Sequence, residues 1–291
     1  MFECVINVSE GIDESVLDAL RIAAGIACVD LHADPDHHRS VFTLAHPECA
    51  AIETAARDLT TAAYERLDLR THTGVHPRFG IVDVVPFVTL SEDEDAQRAT
   101  VAAAHAYATW ASTTHGVPCF LYGTADMHAR TLPEVRREAF TVRVPDCGPN
   151  APDPQRGAIA VGVRPPMIAV NVELASNNLD TARTIARQVR GRDGGLPGVR
   201  ALAFALASRE HVQVSMNLVD LSATGMQAAC AEVADAAHER GVEVDRIELV
   251  GLMPWRELAR CEPWFVEWAE LTEHHTIEAR VNARADARPG S

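Results

Sequence analysis

Two stretches of this 291-residue chain repeat one order of local patterns, and that repetition constrains the fold more than any other feature. Residues 2–7, 27–31, 40–44 and 81–87 are short apolar runs rich in β-branched side chains, as strands are. Residues 13–24 and the Ala-rich run 47–67 carry the three-to-four-residue period of a helix. Ser9 or Asp13 is available to cap the first helix, and Pro47 takes an allowed first-turn position in the second. The order is strand, helix, strand, strand, helix, strand. A further helix over 93–114 and a strand over 118–122 follow. The same order returns later, with strands over 168–172, 199–207, 212–218 and 246–251 and helices over 178–189 and 224–240. Between the copies lies DCGPNAPDPQRG, residues 146–157, whose three prolines and two glycines rule out regular structure.

A βαββαβ order is that of a ferredoxin-like unit. The expected fold is therefore α/β (α+β): two ferredoxin-like subdomains over 1–166 and 167–291, each an α/β sandwich, with a substrate cleft between them. The tail from Val281 reads as frayed.

Composition narrows the chemistry. The net charge is −15 and every one of the 26 basic residues is arginine. So acidic a chain is a poor partner for nucleic acid. The lack of lysine removes Schiff-base chemistry and a phosphate-loop lysine. An anionic substrate group must be held by arginine, whose planar fork suits carboxylates, or by main-chain N–H groups. No run of about 18 uncharged apolar residues predicts a membrane span. Glu3 and the lack of a basic leader argue against a signal peptide. The seven widely spaced cysteines read as reduced thiols of a cytoplasmic protein. Cys147, in the loop, is the one candidate for reactivity.

Residues 71–87, THTGVHPRFGIVDVVPF, hold the densest chemistry. His76, Arg78 and Asp83 offer a proton shuttle, an anion-binding guanidinium and a carboxylate at the mouth of an apolar strand. Asp83 interrupts that strand, and a buried carboxylate needs a partner or a task. His72 alone reads as a surface loop residue. His72 and His76 have metal-ligand spacing, but Gly74 and Pro77 break the helix such a site needs, so no metal is expected.

Several segments together resemble the formiminotransferase family. They are ECVINVSEG, VDLHADPDHHRSVFT, HTGVHPRFGIVDVVPF, PCFLYG, DCGPNAPDPQRGAIAVGVR, IAVNVEL, QVSMNLVD and LVGLMP, in unbroken order from Glu3 to about Pro254. The resemblance covers none of the cyclodeaminase domain fused to some members. It implies transfer of a formimino group from N-formiminoglutamate to tetrahydrofolate as co-substrate, by a cytoplasmic homodimer. It further implies that His76 is the acid/base residue, that the loop holding Gly148, Pro149, Arg156 and Gly157 contacts folate, and that Gln188 and Arg190 contribute.

That chemistry gives the neighbouring residues expected roles. Asp83 is placed to stabilise a cationic intermediate or to orient His76, and Arg39 and Arg78 to hold substrate carboxylates. Arg164 and Arg190 would meet those of the folate tail. The chain departs from the family pattern at Ile6, Val8, His32, His38, Val85 and Arg156, around the expected donor site and folate loop. His32, His37 and His38 crowd one segment, either as a solvated turn or as a lining of the site. These departures keep two alternatives open: another formimino donor or acceptor, such as formiminoglycine or a specialised amine, and a folate-binding homologue without catalysis.

Overall fold

A computed structural model describes residues 1–35, 37–73, 78–206 and 211–286. The chain divides into two compact units, Met1–Arg164 and the part from Pro165 onward.

The first unit runs β1 (Phe2–Val8), α1 (Glu14–Ala23), β2 (Cys28–Asp34), β3 (Arg39–His46), α2 (Cys49–Arg66), β4 (Val82–Thr89), α3 (Glu94–His115), β5 (Cys119–Gly123), α4 (Leu132–Glu138) and β6 (Ile159–Val163). Its six-stranded sheet has the order β2-β3-β1-β4-β6-β5. The first four strands are the antiparallel ferredoxin-like set. β6 then pairs in parallel with both β4 and β5. β6 is the strand not expected from the sequence: IAVGV directly follows a proline-rich loop and carries a glycine, which weakens a strand signal. The short α4, seven residues, is under two turns and shows no helical period.

Side chains alternate across this sheet. One face, with Val82, Val85 and Phe87 of β4, packs under α1–α3 through Leu20, Ile52, Leu59 and Tyr107. The buried Tyr107 hydroxyl meets Thr60 Oγ1 at 2.6 Å, which satisfies both polar groups. The other face, with Val84, Phe120 and Tyr122, is covered by Val135 and Ala139 together with Phe79 and Phe140. Asp13 and Asp93 cap α1 and α3 by accepting first-turn amides. The β1–β4 ladder pairs Asn7 with Val84 and Val8 with Val82, so the register slips at Asp83. Such a bulge re-aims a side chain out of the regular alternation.

The second unit runs β7 (Ile168–Leu174), α5 (Leu179–Val189), β8 (Val199–Leu206), β9 (His211–Leu218), α6 (Met226–His238) and β10 (Val244–Val250), then α7 (Trp255–Leu258), α8 (Pro263–Trp268) and α9 (Ile277–Asp286). Its sheet order, β10-β7-β9-β8, is the ferredoxin-like arrangement again. Ala182, Ile185, Ala186 and Val189 line one stripe of α5 and pack with α6 on Val170, Val172, Val212 and Val214. α6 starts after Gly225, which has no side chain to cap it. The buried Glu257 of α7 supplies the acceptor instead, to Met226 N at 2.7 Å. α9 carries the helix through Val281 to Asp286, where the sequence alone suggested fraying. Among the described residues no helix is long and apolar enough to cross a membrane.

Candidate functional site

The SEG tripeptide after β1 organises the first unit's site. Ser9 Oγ donates to Gly80 O at 2.9 Å and Ser9 N to Ile81 O at 2.8 Å, which ties β1 to the entry of β4. Glu10 Oε1 accepts the amides of Gly11, Ile12 and Asp13 at 2.7–3.0 Å. Gly11 must be glycine for lack of space. A Cβ there would lie 2.5 Å from both Arg39 N and Asp34 O.

Asp83, 1% exposed, anchors the centre. Its Oδ1 accepts Phe79 N at 2.6 Å, fixing the peptide just after Arg78. Its Oδ2 lies 3.1 Å from Arg39 NH2 and also accepts from Arg136. Arg39 in turn donates through Nε to Asn7 Oδ1 at 3.0 Å. Burial pushes the Arg39 guanidinium down from its ordinary value, Asp83 pushes it back up, and Arg136 lowers it again. It stays charged at any ordinary pH. One carboxylate thus holds two guanidinium groups, the kind of donor that binds carboxylates. Arg136 is the residue that sequence reasoning missed. The buried carboxylate signalled that a partner existed, but not which arginine.

Arg78 NH1 meets Nδ1 of His72 and lies 3.4 Å from its carbonyl oxygen. His72 is therefore part of the cluster, not a free loop residue. Its ring stacks on His38 with centroids 4.0 Å apart and planes 20° apart. His37 pairs with Asp34, and His38 is only 17% exposed, so these two do not form a solvated turn. His76, the expected acid/base residue, lies outside the described residues, between Thr73 and Arg78.

The 146–157 loop is stitched to these strands. Cys119 N donates to Cys147 O at 2.9 Å, Ile81 N to Arg156 O at 2.9 Å and Ala158 N to Phe79 O at 3.0 Å. Gly157 sits at φ +80° against Gly80, where a Cβ would come within 2.5 Å of the Gly80 Cα. Arg143 donates to Asp146 at 2.6 Å and holds the loop's start. Gly148 and Pro149, two and three residues further on, are exposed. The Arg156 guanidinium lies 5.5 Å from the centre of the Tyr64 ring, within cation–π range. Burial pushes the Cys147 thiol up, a Thr109 hydrogen bond lowers it, and Asp146 raises it again. A raised thiol is a poor nucleophile at neutral pH. Arg164 closes the unit, its N–H donating to Phe87 O at 3.3 Å.

Gln188 and Arg190 belong to the second unit, at the end of α5. Gln188 Oε1 accepts from Arg240 at 2.9 Å, and Arg190 pairs with Asp193. A groove of about 400 Å³ between α5 and β8 is lined by Asp180, Arg183, Arg187, Arg190 and Leu202, with Arg183 held 3.0 Å from Asp180. Elsewhere in this unit Glu173, His211 and Asp245 bring possible ligand atoms within 4.8 Å of one another. Arg246 lies 3.7 Å from Glu173, so a cation would enter beside a positive charge.

The chain matches family models along almost its whole length. Residues 1–164 match the formiminotransferase domain, N-terminal subdomain, and residues 169–283 the formiminotransferase domain. A glutamate formimidoyltransferase of Streptococcus pyogenes serotype M1 is 32% identical over 290 residues, covering 94% of this chain and 96% of that protein. One from Thermoplasma acidophilum is 31% identical, covering 98% and 99%. The formimidoyltransferase-cyclodeaminase of Rattus norvegicus is 34% identical over 97% of this chain and 56% of its own length. A two-unit chain with the SEG anchor, the HPR segment and a tethered glycine loop, matched end to end in this way, belongs to the formiminotransferase family.

Proposed function

We propose that this protein transfers the formimino group of N-formimino-L-glutamate to tetrahydrofolate, giving 5-formiminotetrahydrofolate and glutamate. The observation that carries the reading is the end-to-end likeness to two proteins named glutamate formimidoyltransferase. The site geometry agrees with it. The donor brings two carboxylates and the folate tail brings more. The first unit offers Arg39 and Arg136 on Asp83 with Arg78 nearby, and the second offers Arg190.

In the reaction, N5 of tetrahydrofolate attacks the amidine carbon, a new C–N5 bond forms, and the bond to the glutamate nitrogen breaks. N5 loses a proton and the leaving amine gains one. A single histidine titrating near neutrality can accept the first and deliver the second; His76 takes this role. Asp83, with both oxygens engaged, acts by holding Arg39 and the Phe79 peptide in place. The loop from Gly148 to Gly157 receives the folate, with Arg164, Gln188 and Arg190 toward its tail. The same reading places the enzyme in histidine degradation as a cytoplasmic homodimer.

The test is a transfer assay with purified protein, tetrahydrofolate and N-formiminoglutamate, read as methenyl-tetrahydrofolate after acid treatment. Product from the native protein and none from His76→Ala supports both the reaction and the base. Tetrahydrofolate binding without product points to a different donor, or to a homologue without catalysis.

A further inference from the structure

The hydrogen bonds of His38 and His72 assign opposite protonation states to two stacked rings. His38 turns the chain between β2 and β3 at φ +49°, a conformation that histidine enters more readily than most residues. Its Nδ1 lies 2.7 Å from the Thr73 carbonyl oxygen and its Nε2 3.2 Å from Glu10 Oε1. A carbonyl only accepts. Glu10 Oε1 already takes three main-chain amides, so it is a carboxylate oxygen and accepts as well. A neutral imidazole has one N–H and one lone pair, and would turn that lone pair on an oxygen. Only the imidazolium donates to both.

His72 is the reverse case. Its Nδ1 faces the Arg78 guanidinium, which only donates, so that nitrogen carries the lone pair. Its Nε2 lies 3.2 Å from the His38 carbonyl oxygen and must carry the hydrogen. His72 is neutral, and a second proton would set it against Arg78 and the His38 cation together.

We propose that His38 is a positioning residue of the transfer site: as an imidazolium it joins the Glu10 carboxylate to the Thr73 carbonyl, and through the stacked His72 it directs the Arg78 guanidinium. The clamp thereby ties Thr73 and Arg78 to the turn between β2 and β3. The proposal rests on the function given above for its link to catalysis, and on hydrogen-bond geometry for the clamp. Among the described residues, the charged and titratable groups around the ring are Glu10, His72 with Arg78, the His37–Asp34 pair in the same turn, and the adjacent Arg39 with Asp83.

Two variants separate this role from a merely structural one. His38→Phe keeps a ring for stacking but donates nothing. His38→Asn tolerates the turn conformation and donates N–H without titrating. Side-chain ¹⁵N NMR of the native protein at neutral pH should show both His38 nitrogens protonated and His72 protonated on Nε2 alone. In the assay His38→Phe should lower kcat by roughly 10- to 100-fold, the scale of misplaced site groups. His38→Asn should stay within a few-fold of native. A neutral His38 in the spectrum overturns the clamp, as does an equal loss of kcat in His38→Phe and His38→Asn. A native protein that transfers nothing from formiminoglutamate overturns the function instead. The clamp is then judged by the ¹⁵N shifts and by whether His38→Phe, but not His38→Asn, moves the His72 resonances.

Discussion

Asp83 Oδ2 stands 3.1 Å from Arg39 NH2 while the same oxygen accepts from Arg136. The carboxylate is 1% exposed and separates two like charges. Asp83→Asn keeps the shape and removes the charge, leaving the guanidinium groups to repel each other. Removing one partner of a buried pair costs about 3 kcal/mol at the lower end of the usual range, which is apt here because both arginines reach solvent. Urea unfolding of native and variant measures the difference. A change below about 1 kcal/mol would mean solvent already screens the pair.

Arg190 ends α5 beside a groove that also presents Arg183 and Arg187. If it meets a folate carboxylate, Arg190→Ala should raise the KM for tetrahydrofolate about tenfold or more while kcat changes little, since such binding is equal in ground and transition states. An unchanged KM removes Arg190 from the folate site.

Gly157 and Gly116 both adopt positive φ, but only Gly157 is crowded. A Cβ on Gly157 lies 2.5 Å from Gly80 Cα and from Phe79 O, whereas one on Gly116 meets nothing within 4 Å. Gly116→Ala should cost about 1 kcal/mol for the backbone conformation alone. Gly157→Ala should cost about 3 kcal/mol or more, because main chain on both sides must shift. Thermal unfolding of the two variants side by side tests the ranking, and equal losses would refute it.

Asp126 gives an acid limit to stability. Burial pushes its carboxyl up, but hydrogen bonds from the Arg130 side chain and from the Arg130 and His128 amides, with the Arg143 charge, outweigh that and hold it at about 2. A carboxyl depressed in the folded state stabilises it above the unfolded value. The benefit is fully present above the ordinary 3.8 and fades as pH falls from there toward about 2. After allowing for the partly exposed Arg130, the loss is about 1–2 kcal/mol. Denaturant midpoints between pH 5 and pH 2 should fall less steeply in Asp126→Asn; a parallel fall would assign the acid sensitivity to other groups.

The two ferredoxin-like sets were legible because their helices show a clear period, as in the 182, 185, 186, 189 stripe of α5, and their strands are β-branched runs bounded by turn residues. β6 was not legible: Gly162 interrupts its short run straight after the proline-rich loop, and its place between β4 and β5 is set by pairing. Asp83 stood out as a charge inside an apolar run. Arg136 did not, because it reaches Asp83 across 53 positions and is one arginine among 26. His38 was visible as a departure from the family pattern and as a member of a crowded segment. Its pairing with Glu10 and Thr73 is purely tertiary.

Gly80 and Gly157 meet backbone to backbone, with main-chain bonds on either side of the contact. A loop sewn down in this way has given up most of its conformational freedom during folding. A ligand that settles on it meets a surface already in shape and need not freeze a mobile segment on arrival. The proline-rich stretch is then closer to a moulded tray than to a closing door, and if ligands bind there, variation in their affinity should show mainly in how fast they leave.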